Sequence, residues 1–400
     1  MTNQVRRHSK NEEMKVYFKN LDGLRFFAAL FVLLQHSFGF RKNYSPTYKL
    51  LSSWFEFTGV IGVNLFFILS GFLISYLLLI EKDSTSTISY KNFYIRRILR
   101  IWPLYLGYGL VLTFFSPYVS EKLGLGNDTD MHLMMLNLFF LLLFSVNIQI
   151  AFLGNNTGIF DISWSVCVEE QFYLVWPLLI NTFRKKLSVL LVGMFLMSVA
   201  SRLFFCIYMP GHSSDWPMER AWSSNYVLIF DKLDLFGGGL IIALIYYKKD
   251  DYEKLLRNLF HPGIQSLVLT LTLMYTLSII RPEGTLLLIF IDHYICIFLF
   301  GYTLLSAVME NSILKLENPL LKALGRISFG IYLFHTAVCQ LVLVFFKKFI
   351  QHPESHLIYD VAYPLINLVL TCIIAYLSYE FYEKRFLRLK NKYALVATRI

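Results

Sequence analysis

The chain alternates between long apolar stretches and short polar segments. About 20 apolar residues in a helix cross the hydrocarbon core of a bilayer, so each such stretch predicts a membrane-spanning α-helix. A weaker stretch at 165–182 has an uninterrupted apolar part only from Phe172 to Ile180, which predicts a short re-entrant or partial segment. Ten longer runs lie at 23–40, 58–80, 99–117, 131–153, 186–208, 226–247, 262–280, 286–308, 327–349 and 361–382.

Composition agrees with this pattern. Hydrophobic residues make up 56% of the 400 residues and charged residues only 16%, which excludes an ordinary soluble protein. The net charge of +10 would suggest nucleic acid as a partner in a soluble chain. In a membrane chain, the distribution of the basic residues first indicates which loops face the cytoplasm. The five cysteines are scattered and odd in number, so neither a disulfide framework nor a metal site is expected.

Basic residues cluster between the apolar runs and predict the orientation of the chain. Most of the 37 Lys and Arg residues lie in six clusters, which the positive-inside rule assigns to the cytoplasm. Both termini are then cytoplasmic. We therefore predict an all-α, multi-pass protein of the cytoplasmic (inner) membrane, with about ten transmembrane helices and one partial segment. The expected parts are a cytoplasmic lead-in at 1–20, a membrane domain at 21–384 and a cytoplasmic basic tail at 385–400. The six clusters are at 6–25, 82–100, 184–186, 248–257, 315–326 and 384–399.

Ionisable residues inside apolar runs are the best candidates for chemistry, because each is costly in lipid unless it is paired or faces a cavity. In the first helix, Arg25 and His36 are eleven residues apart, which places them on one face with about 16 Å between them along the axis. Asp22 is one turn before Arg25 and can pair with it. Membrane anchoring by Arg25 and simple packing of His36 are the alternative interpretations.

Two further groups stand near the membrane. Arg97 and Arg100 lie one turn apart at the cytoplasmic mouth of the third apolar run, where their guanidinium groups suit phosphate oxygens or simply anchor the helix. Ser165 and Glu169 are four residues apart on one helical face. A carboxylate such as Glu169 can orient an imidazole and raise its basicity.

Candidates for substrate binding are fewer. The loop near 209–225 carries Trp216 and Trp222, which suit sugar binding or interfacial anchoring. Asp231 lies at the outer end of the apolar run at 226–247, and His335 follows Ser328 by two turns on one helical face.

Taken in order, six motifs resemble the acyltransferase 3 family of integral membrane O-acyltransferases. The resemblance covers nearly the whole chain. It rests on LDGLRFFAALFVLLQH, GVNLFFILSGFLIS, FYIRRILRIWPLY, WSVCVEEQFYLVWP, LGRISFGIYLFH and SYEFYEKRF.

This resemblance implies transfer of an acetyl or other acyl group from cytoplasmic acetyl-CoA to a hydroxyl of a cell-surface or lipid-linked carbohydrate. His36 would act as general base or transient acyl carrier, Glu169 would orient it or handle the acceptor proton, and Arg25 would bind the donor or stabilise negative charge. Arg97 and Arg100 match the Arg-x-x-Arg motif and would hold the donor phosphates. No permanently bound cofactor, no metal and no nucleic acid are expected, while membrane lipid and glycan-assembly proteins are possible partners.

The chain departs from the family pattern in two respects. Glu383, Lys384 and Arg385 stand where relatives often have Glu-x-Pro, and no esterase-like domain is expected after the membrane unit. A proton-coupled transporter or flippase is the alternative function, since intramembrane His, Glu and Arg also describe such carriers. The absence of an internal repeat and the position of the arginine pair favour the enzyme.

Overall fold

The protein is described by a computed structural model in which nearly all of the regular structure is helical. The structure describes residues 14–40, 53–123, 131–154, 160–212, 217–280, 286–349, 357–393 and 396–398.

Eight helices make up the first half of the described chain. They are α1 (Leu21–Phe40), α2 (Thr58–Thr85), α3 (Tyr90–Leu123), α4 (Met131–Leu142), α5 (Val146–Leu153), α6 (Ser163–Phe183), α7 (Leu187–Leu203) and α8 (Met209–His212). A 3-10 turn at Arg184–Lys186 joins α6 to α7, and a π-helical turn at Phe204–Tyr208 joins α7 to α8.

Nine helices follow in the second half of the described chain. They are α9 (Met218–Val227), α10 (Ile229–Tyr247), α11 (Glu253–Leu259), α12 (Pro262–Thr276), α13 (Leu286–Val308), α14 (Pro319–Arg326), α15 (Ser328–Phe349), α16 (Tyr363–Ser378) and α17 (Lys384–Lys390). Further short turns are 3-10 at Lys249–Tyr252 and Asn391–Tyr393, and π-helical at Leu357–Ala362 and Tyr379–Glu383.

Local sequence explains two of the helix ends. Asn318 caps α14, since its side chain accepts a hydrogen bond from the Leu321 backbone N–H at 2.7 Å and Pro319 fits the first helical position. Ser86, with a backbone φ of 61°, ends α2 in the left-handed conformation.

The expectation of a polytopic helical membrane protein is confirmed. Within the described residues, seven helical stretches are long and apolar enough to cross a bilayer. The predicted count of ten and the cytoplasmic position of both termini stay predictions. The seven stretches are Leu21–Phe40, Ser53–Thr85, Tyr90–Phe115, Ser163–Tyr208, Phe290–Val308, Ser328–Phe349 and Ile358–Lys390.

The segment at 165–182 shows no break in its helix, and its partial insertion stays a prediction. Helix α6 is continuous for 21 residues, although Pro177 lies inside it, and its length matches a bilayer core at about 1.5 Å per residue. The break falls instead within 131–153, where α4 and α5 have 12 and 8 residues. Phe144, between them, has a backbone φ of 51° that a helix does not accommodate.

Helix α2 is the centre of the bundle and packs closely against α1 and α10. Glycines allow this approach: a β-carbon at Gly71 would lie 2.4 Å from the Phe236 carbonyl oxygen, and one at Gly62 would lie 2.4 Å from the Ala28 carbonyl oxygen. The small residues of the second apolar run therefore serve helix packing.

Two three-residue strands are the exception to the helical fold. β1 (Met14–Val16) pairs in parallel with β2 (Val396–Thr398). The residues that precede β2 form α17, which packs against α3. The two strands are thereby brought to the side of the bundle where α3 begins.

Candidate functional site

A cavity with basic and apolar walls lies between α1, α2, α3, α6 and α15. We call it the basic cavity. Its polar lining includes Arg25, Arg97, Arg100, Glu169 and Ser165, so the structure brings together four of the site residues predicted from the sequence. Its apolar lining includes Phe66, Phe67, Leu69, Leu73 and Phe329.

Helical periodicity explains this arrangement. On α3, Arg97 and Arg100 are three residues apart, and on α6, Ser165 and Glu169 are four apart, so each pair occupies one face. The cavity is where these two faces meet.

The positive charges of the basic cavity are only partly compensated. Arg25 donates a hydrogen bond from Nη1 to Asp22 Oδ1 at 3.1 Å, as the sequence predicted. In contrast, Arg97 and Arg100 form no ion pair with any described residue. The Arg97 guanidinium lies 5.5 Å from the Tyr173 ring centre and 5.9 Å from that of Phe93, and its Nε is buried without a hydrogen-bond acceptor in the described structure. The pair therefore suits an anionic ligand.

Glu169 is held in place on the opposite wall. The Ser70 hydroxyl donates to Glu169 Oε1 at 2.6 Å, and the Tyr173 hydroxyl donates to Ser70 Oγ at 2.9 Å. These bonds orient the carboxylate within the basic cavity. They do not connect it to His36, so the predicted contact between Glu169 and His36 is not seen in the structure.

A buried tyrosine closes the inner end of the basic cavity. The hydroxyl groups of Tyr332 and Ser165 are 2.5 Å apart, and both residues are buried. The Tyr332 hydroxyl also donates to the Ile162 carbonyl oxygen at 3.2 Å.

Beyond Tyr332 two histidines lie side by side, and we call them the imidazole pair. The ring centres of His36 and His335 are 5.0 Å apart, and the His335 and Tyr332 ring centres are 5.9 Å apart. His335 Nδ1 lies 2.6 Å from the Tyr332 carbonyl oxygen, to which it donates. This leaves Nε2 as the proton-accepting nitrogen, and it is buried with no partner among the described residues.

His36 also borders a second cavity, the histidine cavity, which is lined by Gln35, His36, Phe38, Gly39, Phe40, Phe55 and Glu56. Arg25 and His36 thus face different cavities, although they share one helix face. The imidazole pair and Tyr332 separate the two cavities. The sequence predicted one shared space, and the structure divides it.

The remaining predicted substrate residues lie elsewhere. Trp216 is outside the described residues. Trp222 is exposed and stacks on Tyr226, with 5.7 Å between ring centres. Asp231 is buried and belongs to neither cavity lining.

Asp231 instead joins a set of five charged or titratable side chains that we call the ion cluster: Arg202, Asp231, Lys232, Asp234 and His293. Arg202 Nε donates to Asp231 Oδ1 at 2.8 Å, and Arg202 Nη2 donates to Asp234 Oδ2 at 2.7 Å. Lys232 Nζ lies 2.8 Å from Asp231 Oδ2 and 3.9 Å from the Tyr226 ring centre. His293 Nδ1 lies 3.0 Å from Asp234 Oδ1. The cluster links α7, α10 and α13.

Sequence reasoning missed Tyr332 and Arg202. Tyr332 falls between Ser328 and His335 on one helix face, a spacing that would have indicated it. Arg202 is the one arginine in the 186–208 run, and an intramembrane arginine calls for carboxylate partners. Within the described ranges, no group of three or more His, Cys, Asp or Glu side chains is arranged to hold a metal ion.

Comparison with known proteins identifies the family. A family model described as an acyltransferase domain, of the acyltransferase 3 type, matches residues 18–382. The chain belongs to the acyltransferase 3 family. The basic cavity and the imidazole pair both lie within the matched part of this acyltransferase 3 chain.

Three curated relatives are similar to the chain. A Bacillus subtilis protein provisionally named a peptidoglycan O-acetyltransferase is 27% identical over 410 residues, covering 92% of this chain and 54% of that protein. A Staphylococcus aureus protein provisionally named an O-acetyltransferase is 26% identical over 401 residues, covering 96% and 59%. A Listeria monocytogenes peptidoglycan O-acetyltransferase is 28% identical over 203 residues, covering 49% and 30%.

The chain thus spans between 54% and 59% of the length of the first two relatives. No solved structure matches the chain.

Proposed function

We propose that this acyltransferase 3 protein transfers an acetyl or other acyl group from acyl-CoA, in the simplest case acetyl-CoA, to a hydroxyl of a cell-surface or lipid-linked carbohydrate. The family and the relatives' names support acyl transfer. The observation that carries the donor assignment is the basic cavity, in which Arg97 and Arg100 have no carboxylate partner among the described residues and adjoin an apolar lining.

The two parts of the basic cavity match the two parts of the proposed donor. Guanidinium groups bind phosphate oxygens well, so Arg97 and Arg100 would hold the phosphates of CoA. The phenylalanine and leucine side chains that line the rest of the cavity would contact the thin pantetheine arm. The thioester would then point toward Tyr332 and the imidazole pair, while Arg25, near Arg100, would help to bind the anionic end of the donor.

The proposed chemistry is a single displacement at the thioester. The acceptor hydroxyl oxygen forms a bond to the carbonyl carbon as the carbon–sulfur bond breaks, and the hydroxyl proton goes to His36. The CoA sulfur leaves as a thiolate and takes up the proton that His36 accepted, which returns His36 to its neutral form. His335, held by its bond to the Tyr332 carbonyl, would present its Nε2 lone pair beside His36 and fix which His36 nitrogen is free to act as base. Glu169 does not contact His36, so its proposed role is to bind or orient the donor.

The acceptor would approach through the histidine cavity and meet the thioester at the imidazole pair, which lies between the two cavities. Two of the relatives carry names that specify peptidoglycan, which supports a carbohydrate acceptor of the cell envelope. In this proposal the protein lies in the cytoplasmic membrane with Arg97 and Arg100 toward the cytoplasm, and the acceptor binds on the opposite side.

The direct experiment supplies acetyl-CoA with a labelled acetyl group to membranes that contain the protein and measures label in glycan. His36→Ala should reduce the transfer rate at least 100-fold, the effect expected from loss of a general base. His212→Ala is the matched control, because His212 is exposed on a different segment. That variant should transfer label at the wild-type rate.

Two results would contradict the proposal. Undiminished transfer by abundant His36→Ala protein would remove the assigned role of His36. Absence of transfer by the wild type, together with proton-linked uptake of a solute, would instead establish the transporter alternative.

A further inference from the structure

A lysine that neither the family resemblance nor the proposed function assigns lies on the helix packed against the arginine-bearing helix of the basic cavity, outside the cavity lining itself. Lys390 is the last residue of α17, and α17 packs against α3, the helix that carries Arg97 and Arg100. The turn that follows α17 is also attached to α3, since Arg96 Nη1 donates to the Tyr393 carbonyl oxygen at 2.8 Å. Only 7% of the Lys390 surface is exposed.

The charges around Lys390 are almost all positive. Arg100, Arg97, Arg25 and Arg96 are close enough to repel its ammonium group. Asp22 compensates Arg25, and Glu81 compensates Arg96 through an ion pair of 3.2 Å. In the described part of the chain, no acceptor lies within hydrogen-bond distance of Lys390.

One acidic side chain of the same segment is nearby. Glu383 is buried, lies within electrostatic reach of Arg100 and accepts a hydrogen bond from Ser378 Oγ at 3.2 Å. It forms no ion pair with Arg100 or Lys390. Glu169 and Glu170 attract Arg97 from a longer distance, and Glu169 also attracts Arg100. No carboxylate of the described residues bonds to the three cations of α3 and α17, and a bound anion would therefore stabilise this partly buried site.

We propose that Lys390 is a third ligand of the donor phosphates and completes an anion site with Arg97 and Arg100. This inference rests on the proposed function, because it assigns the anion as the phosphate-bearing part of acyl-CoA. The ammonium group offers three freely rotating donors, which complement the planar forks of the two arginines. Helix α17 would thus form one wall of the donor site, with Lys390 at its last turn.

The test compares Lys390→Met with the matched control Lys392→Met, since Lys392 is exposed two residues further on. The probe is adenosine 3′,5′-bisphosphate, which carries phosphates of CoA but no thioester. We expect Lys390→Met to bind this probe roughly tenfold more weakly, the loss of one charge-assisted contact, and Lys392→Met to bind as wild type. The unliganded Lys390→Met protein should have a Tm equal to or above wild type, because the substitution removes repulsion.

A kinetic comparison separates phosphate binding from a structural role. Lys390→Met should raise KM for acetyl-CoA and leave unchanged the KM for S-acetylpantetheine, which has no phosphate. Lys390→Arg should restore most of the affinity. Three results would each overturn the inference. Lys390→Met would bind the probe with wild-type affinity, or its KM would rise equally for acetyl-CoA and S-acetylpantetheine. The third result is a lowered Tm of unliganded Lys390→Met.

The failure of the broader proposal is distinguishable from the failure of this one. If the wild type neither binds adenosine 3′,5′-bisphosphate nor uses acetyl-CoA, the donor assignment itself is wrong. If the wild type does both and Lys390→Met does both equally well, only the assignment of Lys390 is wrong.

Discussion

Two groups of buried charges in this protein differ in how they are compensated. In the ion cluster, Arg202 and Lys232 meet two aspartates at hydrogen-bond distance, and His293 adds a further contact. In the basic cavity, Arg97 and Arg100 meet no carboxylate at that distance among the described residues.

The difference indicates different roles. A compensated cluster that lines neither the basic cavity nor the histidine cavity holds helices together, because breaking it would leave unpaired charge in the bundle. An uncompensated cluster of positive charges that borders a cavity favours binding of an anionic ligand there. The four predictions that follow test this contrast, from the largest expected effect to the smallest.

The first prediction concerns the ion cluster. Arg202→Met leaves Asp231 and Asp234 with less positive charge, and we expect it to lower the free energy of unfolding by about 3–5 kcal/mol. Thermal unfolding in detergent measures this. The control is Arg257→Met, whose ion pair with Glu253 is exposed and contributes no more than about 1 kcal/mol. Equal Tm values for the two variants would show that the ion cluster does not stabilise the fold.

The second prediction concerns the basic cavity, where loss of the charged side chains should weaken donor binding and not lower the stability of the fold. The double variant Arg97→Ala, Arg100→Ala should raise KM for acetyl-CoA by about 100-fold, because two charge-assisted contacts to phosphate are lost. Its Tm should not fall. Lys91→Ala, an exposed cation of the same helix, should change neither quantity. A large fall in Tm with an unchanged KM would mean that the arginines serve the fold.

The third prediction concerns the hydrogen bonds of Glu169. Ser70→Ala removes both the donor to Glu169 and the acceptor for Tyr173, so the carboxylate loses its fixed orientation. We expect the rate of transfer to fall about fivefold to tenfold, in line with one hydrogen bond of about 1 kcal/mol. Ser75→Ala, which affects a bond to Trp176 outside the cavity lining, should not change the rate. Equal rates for the two variants would remove the role of the Ser70 bond.

The fourth prediction concerns Asp161, a carboxylate just before α6 whose Oδ1 is buried without a hydrogen-bond partner in the described residues. Burial raises the pKa of this carboxyl to about 7. A carboxyl with a raised pKa in the folded state favours folding at low pH, and this contribution is lost as pH rises through about 7. The Tm of the wild type should therefore fall between pH 5 and pH 8 relative to that of Asp161→Asn. Parallel pH profiles would contradict this.

Much of the fold and part of the site followed from the sequence. Apolar runs predicted the helices, and spacing placed Arg97 with Arg100 and Ser165 with Glu169, because such local relations are set by helical periodicity. The pairing of Arg25 with Asp22 has the same origin.

Contacts between distant segments did not follow. The neighbour of His36 is His335, almost 300 residues away, and Asp231 is paired by Arg202 of another helix. Such contacts depend on how the helices pack, which a single sequence does not encode locally. The helix break at Phe144 did not follow either, because apolarity measures transfer into lipid and does not report backbone conformation.

The claim that the basic cavity binds the donor is tested most directly by an experimental structure of the protein with a bound, non-hydrolysable acetyl-CoA analogue. The account predicts phosphate density between Arg97, Arg100 and Lys390, the pantetheine arm along the phenylalanine and leucine side chains of the basic cavity, and the acyl end toward Tyr332. Density for the analogue at the ion cluster, or in the histidine cavity with the basic cavity empty, would contradict it.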